Sequence, residues 1–336
     1  MGELVSIRDL TIAFQTQNGL LRAVDQVSLT ISEGEVFAIV GESGCGKSTL
    51  AFGLLNMIPE PGYIESGSIV YSGHDIVKYS EKEMRDIRGR EIAMVFQASM
   101  NSFNPVLRFR NQVNHIFEAH PSVWPNLSEG MAYFRHLLEL VRLRPDSVLS
   151  SYPHELSGGM KQRMAIATSL LLKPKLLLMD EPTTALDVLN QRLVLEILRN
   201  LHDDLNLTIV FVTHDLGVVA DIADRVCVMY GGRVAEIGNL NQVFYDPYRH
   251  PYVTALLEAA PSPFDRGMRA KPIPGSVPNL VDLQPGCRFA SRCPLVEPKC
   301  RQEEPVLRRY TDNHEISCHV VDRELSIGTS GGNEQG

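Results

Sequence analysis

The chain has 336 residues, of which 44% are hydrophobic and 21% charged, and this suits one two-lobed globular domain with an appended segment. Its formal net charge of −8 at pH 7 argues against nucleic acid held on a broad basic face. Residues 1–5 do not begin a secretory signal, and no apolar run reaches the roughly 18 residues of a membrane span, so we expect a soluble intracellular protein whose membrane association comes through a partner.

Hydrophobic patterning predicts alternating strands and helices along the chain. Residues 5–12 and 23–31 predict two β-strands joined by a glycine-containing turn, and the helix that follows residue 46 is expected to end near Pro59. Between residue 111 and roughly residue 150, the periodicity becomes that of amphipathic helices. The other predicted elements are strands 36–40, 67–71, 92–96, 208–212 and 225–230 and helix 189–205. This alternation is typical of an α/β fold with a largely parallel sheet.

Residues 41–48, Gly-Glu-Ser-Gly-Cys-Gly-Lys-Ser, match the phosphate-binding pattern G-x-x-x-x-G-K-[ST] directly after a predicted strand. The glycines allow backbone N–H groups to surround phosphate oxygens, where a Cβ would obstruct them. Lys47 is expected to reach the β- and γ-phosphates, and Ser48 to ligate Mg²⁺. The helix that begins at Lys47 directs the positive end of its dipole at the anion. This motif predicts a nucleoside triphosphate site.

Residues 176–181, Leu-Leu-Leu-Met-Asp-Glu, predict a buried strand that ends in two carboxylates. Asp180 suits the outer coordination shell of Mg²⁺, and Glu181 is placed to polarise an attacking water. Taken alone, the pattern is equally compatible with an ordinary core strand that meets a polar loop.

Residues 156–163, Leu-Ser-Gly-Gly-Met-Lys-Gln-Arg, predict a second helix N-terminus suited to an anion. Few proteins with a phosphate-binding loop have such a second terminus. Its economical use is to close on a nucleotide held by another subunit.

Two single polar residues gain meaning from these motifs. His214 follows the apolar strand 209–213 and Gln97 follows strand 92–96; alone, each would be an ordinary polar residue at a strand end. Beside a phosphate-binding loop and a carboxylate pair, His214 is expected to contact the γ-phosphate. In this context Gln97 resembles the residue that senses Mg²⁺ and water in ATP-binding cassette proteins.

The composition shifts after about residue 240. Prolines at 261, 263, 272, 274, 278 and 285 predict an extended strap rather than a packed core. Four cysteines follow, with C-x5-C-x6-C-x17-C spacing: Cys287, Cys293, Cys300 and Cys318. Disulfides are disfavoured in a reducing compartment, and buried free thiols remain an alternative. A metal or iron–sulfur site is favoured, although the spacing alone does not separate zinc from a cluster.

These motifs together resemble the nucleotide-binding subunits of ATP-binding cassette (ABC) transporters over residues 3–260. In that family the motifs are the Walker A loop (41–48), Q-loop (Gln97), signature (156–160), Walker B strand (176–181), D-loop (185–187) and switch histidine (His214). The signature ends in Met160, where Gln is commonest, and Ala98 stands where an acidic residue is common. The resemblance implies an α/β P-loop NTPase cassette with a RecA-like core, an antiparallel β subdomain, a helical subdomain and a Pro/Cys-rich C-terminal extension.

The resemblance also implies a role for each motif residue. The implied catalytic residues are Glu181, His214, Lys47 and Gln97. The residues implied to bind Mg²⁺ are Ser48, Gln97 and Asp180. The D-loop contributes Asp187. The residues expected to bind ATP are Phe14, Gly41, Glu42, Ser43, Gly44, Cys45, Gly46, Lys47, Ser48 and Thr49. The residues expected to contact the ATP held by a partner subunit are Leu156, Ser157, Gly158, Gly159 and Met160.

Residues 250–257, 275–278 and 285–294 resemble the C-terminal extension of the oligopeptide/dipeptide/nickel importer ATPases. That resemblance implies a 4Fe–4S cluster on the four cysteines. Zinc is the alternative, with His314 or His319 as substitute ligands. The expected domains are a nucleotide-binding domain at 1–240 with its helical subdomain at about 105–172, the extension at 241–325, and a disordered tail at 326–336.

The expected function is the ATP-hydrolysing motor of an ABC importer for dipeptides or oligopeptides. The same role for nickel or oligosaccharides is the first alternative; a soluble ABC ATPase of nucleic-acid metabolism and a non-hydrolysing regulator are remote ones. The implied partners are two integral-membrane permeases, a second related ATPase that forms a heterodimer, and indirectly an extracellular or periplasmic solute-binding protein, with no nucleic acid. The implied location is the cytoplasmic face of the cell membrane.

Overall fold

The structure, a computed structural model, describes residues 2–97, 99, 102–184, 186–259 and 271–323. The chain divides into two compact units. The first unit comprises residues 33–36 and 79–212, and the second comprises residues 2–32, 37–78 and those from 213 onward. Among the described residues, no helix combines the length and the apolar character needed to cross a bilayer.

The secondary structure of the described residues alternates between strands and helices for most of its length. The helices are α1 (Lys47–Leu54), α2 (Glu81–Ile87), α3 (Phe109–Ala119), α4 (Leu127–Leu140), α5 (Pro145–Ser150), α6 (Gly158–Ser169), α7 (Val188–Leu205), α8 (Leu216–Ile222), α9 (Leu240–Tyr245) and α10 (Pro251–Ala259). The strands are β1 (Glu3–Thr16), β2 (Gly19–Ser32), β3 (Val36–Val40), β4 (Gly62–Tyr71), β5 (His74–Asp75), β6 (Ile92–Val95), β7 (Leu176–Asp180), β8 (Thr208–Thr213), β9 (Arg225–Tyr230), β10 (Arg233–Asn239), β11 (Arg308–Thr311) and β12 (His314–Ile316).

The first unit contains a parallel sheet in which β7 lies between β6 and β8. Every residue of β7 and β8 is buried, and apart from Asp180, Thr208 and Thr213 both strands are apolar, as is usual for parallel strands that are covered on both faces. The carboxyl ends of β6 and β7 lie at the same edge because the two strands are parallel. The residues that follow these strands, Gln97 and Glu181, are therefore neighbours.

The second unit contains an antiparallel sheet of β2, β1, β4 and β5. Its first two strands are longer than the sequence predicts. Asp9 and Gln26 adopt positive φ values, and the register of the β1–β2 ladder shifts near both. Both irregularities lie inside the predicted segments, whereas the residues that the prediction missed lie at the ends of the strands, mostly beside the turn at 17–18.

The second unit also pairs β3 with β9 in parallel, and β9, β10, β12 and β11 with one another in antiparallel order. The helix α1 follows β3 and ends at Leu54 rather than near Pro59, because Asn56 already has a left-handed backbone. This conformation ends helices.

The described part of the proline-rich segment, residues 271–285, contains no helix or strand and is mostly exposed, in agreement with the predicted strap. The cysteine-containing part that follows has a packed core, which the sequence analysis did not predict. Ala290, Cys300, Ile316, Cys318, Val320 and Val321 form one buried cluster. Phe289 packs beside Tyr230 and Tyr252, with ring centroids 5.2 and 5.4 Å away. The apolar residues are few and widely spaced, so their convergence is not visible in the sequence. Pro261, Pro263 and the tail 326–336 lie outside the described residues.

The β10–β12 pairing encloses a buried carboxylate. Glu236 of β10 is completely buried, and burial raises the pKa of its carboxyl group. One carboxylate oxygen accepts the backbone N–H of His250 at 2.7 Å, and the other lies 3.0 Å from Nε2 of His314. Both partners come from the chain beyond residue 240.

Candidate nucleotide-binding site

The phosphate-binding loop lies against neighbouring backbone at two glycines. Gly41 has a φ of +150°, and a Cβ there would lie 2.2 Å from the carbonyl oxygen of Met229. Gly46 has a φ of +103°, and a Cβ there would lie 2.1 Å from the carbonyl oxygen of Ala23. A side chain would fit at neither position. The two glycines of the motif that the sequence identified are therefore required by the packing of the loop as well as by its chemistry.

Lys47 lies over this loop. Its Nζ donates hydrogen bonds to the carbonyl oxygens of Gly41 at 2.8 Å and Glu42 at 3.0 Å, and the residue is 6% exposed. The helix α1 begins at Lys47, and Gly46 before it has no side chain with which to cap the helix. The positive end of the helix dipole and the ammonium group thus belong to the same short segment, which suits a polyphosphate.

Glu181 is held by two side chains in the first unit. Its Oε2 accepts hydrogen bonds from Nε2 of Gln97 and from Oγ1 of Thr184, each at 3.0 Å. Its backbone has a φ of +48°, and its N–H donates to the carbonyl oxygen of Val212 at 2.9 Å. A left-handed non-glycine residue carries a conformational cost of about 1–3 kcal/mol and is common at functional sites. Asp180, the preceding residue, is 3% exposed.

Gln97 and Glu181 were both predicted from the sequence, and the structure brings them together. Thr184 was not predicted. Its hydroxyl lies three residues after Glu181 in the same turn, and this spacing is the only sequence signal that could have identified it.

The signature segment begins α6. The Oγ of Ser157 accepts the N–H of Met160 at 3.3 Å and so caps the helix. Gly159 packs against α7: a Cβ there would lie 2.5 Å from Oδ1 of Asn190. A larger residue at 159 would therefore displace Asn190.

Asn190 also forms hydrogen bonds with Asp187 of the D-loop. Asp187 caps α7 by accepting the backbone N–H of Asn190 at 2.9 Å and its Nδ2 at 2.6 Å. These hydrogen bonds hold the pKa of the Asp187 carboxyl below its ordinary value. Asn190, which the sequence analysis missed, thus connects the signature glycine to the D-loop carboxylate. Ala185 of the D-loop lies outside the described residues, as does Ala98 beside Gln97.

Two further predicted residues lie in the second unit with the phosphate-binding loop. His214 is exposed and directly follows β8. Phe14 is half-buried in β1, where it pairs with Gly62, and its ring lies 2.5 Å from the position that a Cβ on Gly62 would occupy. No described contact tests whether Phe14 stacks on adenine, so that role stays a prediction.

The four cysteines of the extension, Cys287, Cys293, Cys300 and Cys318, border one cavity of about 10 Å³. All six cysteines of the chain are free thiols. Burial, with smaller contributions from neighbouring thiols, raises the pKa of Cys287 to about 12 and that of Cys318 to about 11.

The residues around this cavity bear on the kind of group it could hold. His250 and His319 also line it, whereas His314 pairs with Glu236. Within the described residues, no group of three or more His, Cys, Asp or Glu side chains is arranged to hold a metal ion. The donors therefore converge on one place without forming a preorganised site for a single ion.

Comparison with known proteins identifies the class of protein to which this fold belongs. The family model for ABC transporters matches residues 24–184. A solved dimer of the ATP-binding cassette MJ0796 with ADP and Pi matches with a TM-score of 0.60 and 28% identity over 70% of this chain and 99% of that one. CbiO1 of Clostridium perfringens, part of the ABC transporter complex CbiONQ, matches with a TM-score of 0.62 and 29% identity over 73% and 91%. The chain has the ABC ATPase cassette fold.

The match extends through the C-terminal extension. A second model, the C-terminal region of oligopeptide/dipeptide transporters, matches residues 235–300. The chain is 41% identical to the oligopeptide transport ATP-binding protein OppD of Bacillus subtilis over 95% of this chain and 89% of OppD. It is 40% identical to the dipeptide transport ATP-binding protein DppD of Escherichia coli over 94% and 96%. The chain belongs to the ABC transporter ATP-binding subunits of this oligopeptide/dipeptide branch.

Proposed function

We propose that this chain is the ATP-hydrolysing motor subunit of an importer that powers the uptake of dipeptides or oligopeptides through partner permeases. The observation that carries the hydrolytic part is the Glu181 carboxylate, fixed by Gln97 and Thr184 at the end of a buried strand. A carboxylate so oriented suits the activation of water. The transport of peptides is supported by the near full-length similarity to the OppD and DppD proteins.

Each motif residue has a separate task in this proposal. The backbone N–H groups of residues 41–49 hold the phosphates, and Lys47 exchanges its carbonyl partners for phosphate oxygens. Ser48 would ligate Mg²⁺, with Gln97 and Asp180 in support, and the ion would supply positive charge beside the phosphates. Glu181 takes a proton from the attacking water, while Lys47 and His214 stabilise the charge that develops on the γ-phosphate. Phe14 stacks on the adenine.

The signature residues Leu156, Ser157, Gly158, Gly159 and Met160 act on the nucleotide of a partner cassette. The MJ0796 cassette is a dimer in its ADP- and Pi-bound structure, which supports this use of a second anion-binding helix terminus. We assign the partner cassette to a related but different ATPase. We further assign two integral-membrane permeases, an extracellular or periplasmic solute-binding protein and a position on the cytoplasmic face of the membrane.

We also propose that Cys287, Cys293, Cys300 and Cys318 hold a 4Fe–4S cluster. Four cysteines on one cavity supply the complete thiolate set of such a cluster. A Cys₄ zinc site is the alternative. Either group would crosslink the extension when bound.

The cluster is tested by the metal content of protein purified without air. About four iron atoms per chain and a broad absorption near ~400 nm are expected for one cubane. One zinc and no colour would replace the cluster by a zinc site.

The motor role is tested in proteoliposomes that contain this chain, its permeases and the second ATPase. We expect ATP-dependent accumulation of a labelled dipeptide that is lost with Lys47→Ala and retained with Glu196→Gln. Glu196 forms an exposed ion pair with Arg142 and serves as a matched control. Accumulation of nickel or an oligosaccharide instead of a peptide would contradict the substrate but leave the motor role. A failure of Lys47→Ala to reduce accumulation would contradict the motor role itself.

A further inference from the structure

The carboxylate of Glu42, inside the phosphate-binding loop, is bound by an arginine of the C-terminal extension. Nη1 and Nη2 of Arg292 donate to the two oxygens of Glu42 at 2.6 and 3.0 Å. A bidentate arginine–carboxylate pair is among the strongest hydrogen-bonded interactions that side chains form. The side chain of Arg292 is 3% exposed and that of Glu42 23% exposed, so the pair is largely shielded from water.

Arg292 is itself fixed by the extension and by β9. Its Nε donates to the carbonyl oxygen of Pro274 at 2.7 Å, and Nη2 donates to that of Ile273 at 3.3 Å. Nη1 lies 3.2 Å from the hydroxyl of Tyr230. A guanidinium held on several sides has little freedom to follow a moving carboxylate. The position of Glu42 is therefore determined by Arg292 rather than the reverse.

A second group of the extension holds the backbone of the same residue. The hydroxyl of Tyr252, from α10, accepts the N–H of Glu42 at 2.8 Å. Tyr252 is completely buried, and its ring centroid lies 4.5 Å from that of Tyr230. The carbonyl oxygen of Glu42 accepts Nζ of Lys47 and the N–H of Cys45. Glu42 thus joins the extension to the residues predicted to meet the phosphates.

Arg292 directly precedes Cys293, one of the four cysteines that border the cavity. The segment between Cys287 and Cys293 is a tight turn: the N–H of Ala290 donates to the carbonyl oxygen of Cys287, and that of Arg292 to the carbonyl oxygen of Phe289, each at 2.9 Å. A change in the position of either cysteine would therefore move the guanidinium.

From these contacts we propose that Arg292 is a positioning residue for the phosphate-binding loop, and that it couples the affinity for nucleotide to the order of the four-cysteine segment. The proposal rests on the proposed binding of ATP by residues 41–49. It assigns to the extension an influence on the nucleotide step, in addition to its role in the stability of the fold.

The test is the dissociation constant of Mg·ATP for the full chain, measured by titration calorimetry. Arg292→Gln and Glu42→Gln are each expected to weaken binding at least about fivefold, the lower end of typical coupling between sites. The double variant is expected to be no weaker than either single one, because each removes the same contact. Arg292→Lys is expected to restore part of the affinity. Arg309→Gln, which breaks an exposed ion pair with Glu315, is the matched control and should bind as the wild type does.

A second measurement tests whether the four-cysteine segment affects nucleotide binding. Cys293→Ser should weaken nucleotide binding in the wild-type background and have no further effect in the Glu42→Gln background. Lys47→Ala distinguishes a failure of the proposed ATP binding from a failure of the positioning role of Arg292. If Lys47→Ala binds Mg·ATP normally, the proposed function of the loop is wrong. If Lys47→Ala loses binding while Arg292→Gln and Glu42→Gln retain it, the positioning role is wrong. Should Arg292→Gln fail to fold, Glu42→Gln alone decides, because its partly exposed side chain tolerates the change.

Discussion

Replacement of Glu181 by glutamine isolates the chemistry of this residue from its structural contacts. In the structure, a single oxygen, Oε2, accepts both the amide of Gln97 and the hydroxyl of Thr184. The amide oxygen of a glutamine can accept the same two hydrogen bonds. The change therefore removes the basic carboxylate while it leaves these two hydrogen bonds in place.

The expected effect on stability is small and that on turnover is large. A surface-accessible substitution that keeps its hydrogen bonds changes the free energy of unfolding by no more than about 0.5 kcal/mol. Loss of a group that acts mainly on the transition state costs ~2.7–4 kcal/mol, or about 10²–10³ in rate. We therefore expect Glu181→Gln to bind ATP normally and to hydrolyse it 10²–10³ times more slowly.

The assay is steady-state release of phosphate by the assembled transporter, with binding of ATP and the melting temperature measured on the same preparation. Glu196→Gln, an exposed glutamate on α7, provides the matched control and should keep full activity. Turnover by Glu181→Gln within a few-fold of wild type would remove Glu181 from the role of general base. A lowered melting temperature would show that the two hydrogen bonds are not preserved, and the loss of rate would then have a structural cause.

Three further predictions concern packing and assembly. Gly159→Ala should lower transporter ATPase activity, because its Cβ would lie 2.5 Å from Oδ1 of Asn190 and the clash would shift the signature segment; Asn190→Ala in the same chain removes the clash and should restore part of the activity, and no restoration would refute the clash as the cause. Tyr252→Phe should lower the free energy of unfolding by about 1–3 kcal/mol in denaturant titrations, since the N–H of Glu42 loses its buried acceptor; an unchanged midpoint would show that another acceptor replaces the hydroxyl. The isolated chain should be monomeric or weakly dimeric with low ATPase activity in light-scattering and phosphate-release assays, and robust cooperative hydrolysis by it would contradict the heterodimer.

The nucleotide motifs could be predicted from the sequence because their chemistry is local. Residues 36–54 form strand, loop and helix in one continuous segment, and Gln97 and Glu181 each follow an apolar strand. Once β6 and β7 are paired in parallel, Gln97 and Glu181 must lie close together, so their contact follows from the strand order alone.

The contacts that were missed depend on residues far apart in the chain. Glu42 and Arg292 are separated by 250 positions, and nothing in either neighbourhood indicates the other. The contact between Gly159 and Asn190 likewise requires the packing of α6 on α7. The core of the extension was overlooked for the same reason, since its apolar residues are sparse and converge only in the fold.

The pairing of β12 with β10 has a consequence for how this protein could be divided. A chain cut after residue 240 would retain every nucleotide motif, yet it would expose the edge of β10 to other strands, a situation that promotes aggregation. It would also deprive the Glu236 carboxylate of both His250 and His314, and a buried carboxylate without partners is costly. The cassette of this chain is therefore not an independent module to which an extension was added: its sheet is completed by residues 314–316, which lie 100 positions beyond its last nucleotide motif, His214.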